Sequence, residues 1–330
     1  MIATAYLITP PFTQLNTPYP ATAYLKGFLN TKGISAFQSD LGIEVTTQIF
    51  SKLGLEKLFA TIHAQLPNIV LQDEDVNNIQ RILTLQENYI HTIDKVIAFL
   101  QGKQPTLAQL ICSRNFLPEA ARFAQIDDLV WAFGNMGITE KAKHLATLYL
   151  EDISDLIKLC IDEHFGFSRY AEKLGRSANS FDELYEALRR PYTYIDEILL
   201  QLLHQNIEKI QPKIVCLSVP FPGNLYAAFR CGQYIHQHFP QIKVAMGGGF
   251  ANTELRSLKD KRVFEFFDFI TLDDGEAPIE NIIKFTEGST TIQELKRTFL
   301  LVNDEIIFIN NKSCTDYKQG EVGTPDYSDF

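Results

Sequence analysis

The residues best placed to admit a ligand are three consecutive glycines, Gly247-Gly248-Gly249, which follow the apolar run Lys243 to Met246 (KVAM). Glycine lets a backbone approach a ligand closely and reaches positive φ without penalty. Exposed N–H groups in such a loop can bind phosphate or amide oxygens. The plain alternative is a tight strand-to-helix turn. Phe250, Ala251 and Asn252 come next, so this is not the G-x-G-x-x-G of a dinucleotide fingerprint. A second candidate, Asp274-Gly275-Glu276, follows the run Asp268 to Leu272 (DFITL). Its carboxylates could accept hydrogen bonds from ligand amides or hydroxyls. Equally, Asp273 or Asp274 could cap the next helix.

Two proline-rich segments offer other chemistry. Thr9 leads into Pro10 to Pro20 (PPFTQLNTPYP), with Pro10, Pro11, Gln14 and Asn16 as candidate contacts, and Ser218 leads into Pro220-Phe221-Pro222-Gly223-Asn224. The first is long against a median connection of ~4–6 residues. Both present flat apolar surface with hydroxyl and amide groups, which suits a large, mostly neutral ligand. Neither carries Lys or Arg, so a polyphosphate is a poor match; Arg230 and Lys243 are the nearest cations. The plain alternative for each is a rigid packing loop.

Other chemistries find little support. His236 and His238 read as a solvated helix end, and the remaining histidines scatter over helical stretches. No G-x-S-x-G elbow occurs. The five cysteines form no C-x-x-C, so neither a disulfide framework nor a zinc site is expected. A net charge of −10 argues against a broad nucleic-acid footprint. No apolar run approaches the ~20 residues of a membrane span. The segment Met1 to Thr9 is short, lacks basic residues and meets Pro10-Pro11, unlike a signal peptide. The expectation is a reduced, cytoplasmic, soluble protein with no nucleic-acid or membrane partner.

The candidate loops have one thing in common: each follows a strand. Ile2 to Thr9, Ile34 to Gln38, Lys213 to Val219, Lys243 to Met246 and Asp268 to Leu272 read as strands, and Pro20 to Thr31, Leu225 to His238 and Pro278 to Phe285 as helices between them. Between the second and third strands lie long helical patterns, including 75–100, 117–133, 138–164 and 180–210, with a capping box at Ser180 and a break at Pro191. Arg297 to Val302 and Glu305 to Asn310 flank Asn303-Asp304 as a hairpin, and Asn311 to Phe330 reads as a polar linker. At ~100–200 residues per domain, the 330 residues allow about two domains. The expected architecture is α/β: a flavodoxin-like, doubly wound parallel five-stranded sheet of order 2-1-3-4-5, with a large all-helical insertion and a C-terminal β-hairpin. The expected domains are 1–42 plus 211–288, the helical insertion 43–210, and the hairpin and linker 289–330. Right-handed crossovers then bring the four strand-end loops to one crevice.

The stretches LITPPFTQLNTPYPATAYLKGFLNTKGI (7–34), KIVCLSVPFPGNLYAAFRCGQYIHQHFP (213–240) and KVAMGGGFANTE with DFITLDDGEAPIENII (243–283) resemble the N-terminal cobalamin-binding domain of cobalamin-dependent radical S-adenosylmethionine (SAM) enzymes. In that family a strand ending in Gly-Gly and a later one ending near Gly-Glu shape the cofactor site; Gly247, Gly248, Gly275 and Glu276 match. GTPDYSDF (323–330) resembles the segment preceding the radical SAM barrel. The resemblance implies cobalamin held base-off without a histidine ligand, since no D-x-H-x-x-G follows the first strand. It assigns cofactor contact to Thr9, Pro10, Pro11, Gln14, Asn16, Ser218, Pro220, Phe221, Asn224, Gly247, Gly248, Gly249, Phe250, Asp274, Gly275 and Glu276. It implies SAM and a 4Fe-4S cluster only in a following barrel domain of the same protein, since no C-x-x-x-C-x-x-C occurs here. Methyl transfer to a peptide or small-molecule substrate would be the activity. A vestigial cobalamin domain whose helical insertion binds a protein or peptide is the alternative; it requires a closed crevice at Gly247 to Gly249 and an apolar groove on residues 75–205. A flavin or nucleotide binder lacks its phosphate loops.

Overall fold

The computed structural model describes residues 3–15, 17–69, 71–124, 137–167, 172 and 181–330. Two compact units form: residues 1–45 with 167–330, and residues 46–166. The first begins with β1 (Ala5–Thr9), α1 (Ala21–Thr31), β2 (Ala36–Asp40) and the start of α2 (Leu41–Ile49). The second holds α3 (Lys52–Gln65), α4 (Asp73–Thr84), α5 (Gln86–Leu100), α6 (Leu107–Cys112) and α7 (Ile138–Cys160). The first then resumes with α8 (Asp182–Arg189), α9 (Tyr194–Ile210), β3 (Ile214–Ser218), α10 (Leu225–His238), β4 (Lys243–Gly247) and α11 (Gly249–Glu254). It ends with β5 (Phe269–Thr271), α12 (Glu276–Thr286), β6 (Thr298–Val302) and β7 (Glu305–Ile309). The expected capping box at Ser180 and the expected helix beyond residue 124 lie outside the described residues.

The sheet has seven strands, not five, in the order β2-β1-β3-β4-β5-β6-β7. Pairing is parallel from β2 through β5 and antiparallel from β5 to β7. The hairpin is therefore part of the sheet. Its turn residues Asn303 and Asp304 take φ of 49° and 62°, which matches the twist of the flanking strands. β1 is buried along its whole length, as expected of a central parallel strand covered on both faces. Alternation sends Ala5 and Leu7 to the face covered by α1 and α12, where they pack with Phe28, Leu29, Ile279 and Ile282. The opposite face belongs to α9 and α10. There Asn206 donates to the Tyr6 hydroxyl at 3.0 Å.

The expected insertion 43–210 is divided. Only 46–166 forms the separate helical unit, while α8 and α9 belong to the sheet unit. Pro191 does separate these two helices, and the capping box sits at Thr193 and Asp196, at the start of α9. Arg230 explains the attachment. It is 1% exposed and its Nε pairs with the buried Asp196 carboxylate at 3.0 Å. It also donates to the Leu188 carbonyl at 2.7 Å and to the Tyr226 hydroxyl at 2.6 Å. Tyr226 in turn donates to Asp196 at 2.8 Å. The cation expected near the crevice thus joins α8, α9 and α10.

His236 is not the solvated helix end expected of it. Its Nε2 lies 3.2 Å from Asp268, and Nδ1 lies 2.9 Å from the Glu265 carbonyl. The hydrogen bond to Asp268 raises the His236 pKa against the opposing effect of burial. Burial pushes Asp268 up, yet His236, Lys243 and the Val244 N–H together hold it below its ordinary value. Lys243, the other cation near the expected crevice, is this partner at 2.7 Å.

The C-terminal segment is a docked strap rather than a linker. Lys26 of α1, only 6% exposed, donates to Ser328 at 2.9 Å and to Asp329 at 2.5 Å. Asp326 bonds Asn30 at 2.7 Å and, through its own N–H, the Ala23 carbonyl at 3.0 Å. Tyr317 packs on Phe28 with ring centroids 4.8 Å apart. A buried ammonium needs anionic partners, and this segment supplies them. Gly27 permits the close approach: a Cβ there would lie 1.9 Å from the Thr324 carbonyl oxygen. Gly27→Ala would add about 1 kcal/mol of helix propensity. It would also lift the strap and forfeit charge-assisted bonds worth about 1.5–3 kcal/mol each. We expect a net loss of about 1–3 kcal/mol and new proteolysis within 323–330. A melt no lower than wild type, with the strap still protected, would contradict this placement.

In the helical unit, Ser51 caps α3, its hydroxyl accepting from the Gly54 N–H at 3.0 Å. The pattern expected as one helix over 75–100 is two, α4 and α5, divided at Leu85. Tyr89 of α5 stacks on Tyr149 of α7 at 5.1 Å and donates to Asp152 at 3.3 Å. Burial pushes the Asp152 pKa up to about 6 although the Ala120 and Arg122 N–H groups donate to it. No helix among the described residues is long and apolar enough to cross a membrane.

Candidate functional site

A cavity of about 290 Å³ lies over one face of the sheet, between α1 and α12, and extends towards the carboxyl ends of β3, β4 and β5. Its floor is the sheet itself: Leu7, Cys216 and Ser218, Ala245 and Gly247, then Thr271. Cys216 pairs in register with Ala245, and Ser218 with Gly247. Small side chains therefore recur at every second position of two adjacent strands, on one face. That leaves a space that larger residues would have filled. Thr22 and Leu25 of α1 form one wall, Ile279 and Ile282 of α12 the other, and Gly248 with Asp273 to Glu276 the rim.

The chemistry of the lining is neutral hydroxyl below and carboxylate at the rim, and the lining contains no Lys, Arg or His. Thr22 Oγ1 is buried without a hydrogen-bond partner among the described residues, as is Thr9 Oγ1 at the end of β1. Burial pushes the Cys216 thiol up to about 12, so it stays protonated at neutral pH and is neither a thiolate nucleophile nor a ready metal ligand. Among the described residues no cluster of three or more His, Cys, Asp or Glu side chains could hold a metal ion.

The glycine loop is positioned by packing. Val219 N–H donates to the Gly247 carbonyl at 2.8 Å, and Phe250 N–H to the Val219 carbonyl at 3.0 Å. Gly248 has φ 104°, and a Cβ on it would lie 2.7 Å from the Val219 oxygen; one on Gly249 would lie 2.7 Å from the Pro220 oxygen. The tight-turn reading thus accounts for Gly248 and Gly249 by themselves, although Gly247 and Gly248 also line the cavity.

Of the residues expected at the site, Ser218, Gly247, Gly248, Asp274, Gly275 and Glu276 line the cavity. Thr9, Pro10, Pro11, Gln14, Pro220, Phe221, Asn224, Gly249 and Phe250 do not, and Asn16 lies outside the described residues. Several of these brace the loops instead. Asn224, fully buried, donates to the Pro10 carbonyl at 2.6 Å and joins the two proline-rich loops. Thr9 and Phe250 are buried, while Phe221 is 53% exposed and packs edge-on to Tyr19 at 6.0 Å. Gln14 is exposed and bonds Thr17 at 2.7 Å. The capping expectation fails: Gly275 is the N-cap of α12, and no side chain caps it. Asp273 instead pairs with Arg256, and its N–H donates to Asn252 at 2.5 Å.

Three residues escaped the sequence reading. Asp40, buried at the end of β2, accepts from the N–H groups of Tyr19, Gly42 and Ile43 and so anchors the first loop. Burial raises its pKa despite these bonds. Arg297 donates to the Leu272 carbonyl at 3.2 Å and the Asp274 carbonyl at 2.8 Å, holding the acidic loop from below. Thr22 had no signal beyond its place at the start of α1. The spacing Cys216/Ser218 and Ala245/Gly247 was the readable clue to the cavity floor.

No family model, no curated protein and no solved structure matches the chain.

Proposed function

We propose that the sheet unit is a flavodoxin-like cobalamin-binding module of a radical SAM protein, holding base-off cobalamin at the carboxyl ends of the strands. The observation that carries this reading is the cavity between α1 and α12, floored by Ser218 and Gly247. At ~30 Å³ per water in the liquid, about 290 Å³ is space for roughly ten waters. That is enough for the nucleotide base of the cofactor and part of its sugar, and too little for the corrin. Thr22, Ser218 and Thr271 would bond the appendage. Gln14 and Phe221, exposed on the loops above, would meet the corrin and its amides. A lining without cations suits neutral amides and hydroxyls better than a polyphosphate. It also offers no histidine to the cobalt. The cofactor would supply methyl transfer, with the SAM and iron–sulfur chemistry in a barrel domain of the same protein and a peptide or small molecule as substrate. This chain's residues bind the cofactor, orient it and exclude water.

The test is retention of hydroxocobalamin after desalting, read from the visible spectrum. Wild-type chain should retain corrin with a base-off absorbance shape. Ser218→Leu, which places a branched side chain on the cavity floor, should weaken retention by at least about tenfold, or ~1.4 kcal/mol. Failure of the wild-type chain to retain corrin, or retention indifferent to Ser218→Leu, would count against the reading.

A further inference from the structure

We propose that the strap, residues 311–330, is a clasp on the cavity: it ties the two walls and the rim together from outside, and its release controls access. Side chains that line a cavity lack protein neighbours on that side, so the elements carrying them must be held from elsewhere. Thr22 and Leu25 of α1 face Ile279 and Ile282 of α12 in this way. The outward residues of the same two helices meet the strap. What the clasp admits rests on the reading of the cavity as a cofactor site, whereas the contacts that form it do not.

Three buried charges mark the points of attachment. Glu280, next to Ile279 on α12, is 6% exposed; it accepts from the Tyr317 hydroxyl and pairs with Lys284 at 2.8 Å. Lys26, next to Leu25 on α1, is equally buried and meets Asp329 at 2.5 Å. Arg297, 9% exposed, donates to the Asp316 carboxylate at 2.6 Å and to the Asp274 carbonyl at 2.8 Å, so one guanidinium joins the strap to the rim. A buried charge needs a partner, and at each point the strap supplies one. Tyr317 links the walls directly. Besides Glu280 of α12 it touches α1, through the Phe28 ring and through Lys32, whose Nζ lies 3.9 Å from its ring centroid.

The strap's hydrogen bonds fall on α1, α12, β2 and residues 294–297. The other face of the sheet is covered by α9 and α10, which the Arg230–Asp196 pair joins to each other. Local opening follows the elements that share contacts, so release of the strap loosens the cavity side alone. Two thiols report the two faces. Cys216 lies on the cavity floor, and burial pushes its pKa up to about 12, which keeps it slow to react until the cavity opens. Cys231 of α10 is 0% exposed, on the opposite face.

Modification of the whole chain by N-ethylmaleimide, resolved by peptide mass, reads both faces at once. Tyr317→Ala should speed modification of Cys216 by at least about tenfold and leave Cys231 at its wild-type rate. Asp329→Asn, at the other end of the strap, should speed it about threefold, and it carries the same test if Tyr317→Ala fails to fold. On chain loaded with hydroxocobalamin, Tyr317→Ala should shorten corrin retention by at least about tenfold. Cys216 no faster in either variant overturns the proposal. So does a rise shared by Cys231, which makes the strap a general stabiliser of the fold, or corrin retention indifferent to Tyr317→Ala. A wild-type chain that retains no corrin removes the cofactor reading, and the Cys216 rates then decide the clasp by themselves.

Discussion

Arg230→Met should destabilise the sheet unit by about 3–5 kcal/mol, because it strands the Asp196 carboxylate in the interior without its counter-ion. Both side chains are 1% exposed or less, so water cannot take over the lost interaction. The guanidinium also donates to the Leu188 and Ala187 carbonyls, which would keep only their bonds from Gln233 and the Arg190 N–H. Arg230→Met with Asp196→Leu should recover much of the loss, since removing both charges avoids the uncompensated one. Urea denaturation reads both variants. A single variant within about 1 kcal/mol of wild type would mean that α8 and α9 are held on by apolar packing alone.

Gly248→Ala should cost about as much, and at the site rather than behind it. At φ 104° and ψ −174° the residue lies where only glycine is comfortable, a strain of about 1–3 kcal/mol for alanine. The added Cβ would also fall 2.7 Å from the Val219 oxygen and 2.9 Å from its nitrogen, both backbone atoms that cannot rotate away. The turn must shift, carrying Gly247 and the cavity rim with it. Gly33→Ala is the matched control: φ is 68°, but nothing lies within 4 Å of its Cβ position. That variant should lose only about 1 kcal/mol and leave hydroxocobalamin retention unchanged. Gly248→Ala should lose about 3–4 kcal/mol in all and at least tenfold in retention. Equal stability of the two variants would sink the claim that packing against Val219 dictates glycine at 248.

The strands and their loops were legible because parallel strands are short apolar runs punctuated by Gly and Pro. KIVCLSV and KVAM fall within a residue of β3 and β4 at each end. The site was legible only in part. Ser218, Gly247, Gly248 and the acidic loop stand at strand ends and could be placed there. The cavity itself is an absence of side chains between a sheet and two helices, visible only when Cys216/Ser218 and Ala245/Gly247 are read as facing rows. Pro10, Pro220 and Asn224 were correctly placed in loops, and the structure shows Asn224 bracing the Pro10 carbonyl rather than lining the cavity, a distinction that a proline-rich sequence does not carry.

By itself, the sequence determined the parallel strands, their terminal loops, the helical unit between them and the hairpin turn. Each of these depends on residues within a few positions of one another: apolar period, glycine freedom, proline geometry. Tertiary structure alone decided that the hairpin extends the sheet, that Arg230 is interior, and that the acidic tail lies on α1. Lys26 and Asp329 are partners across 303 residues of chain, and nothing near either one announces the other. A charge reads as solvated or buried only once the fold has shown which opposite charge it meets.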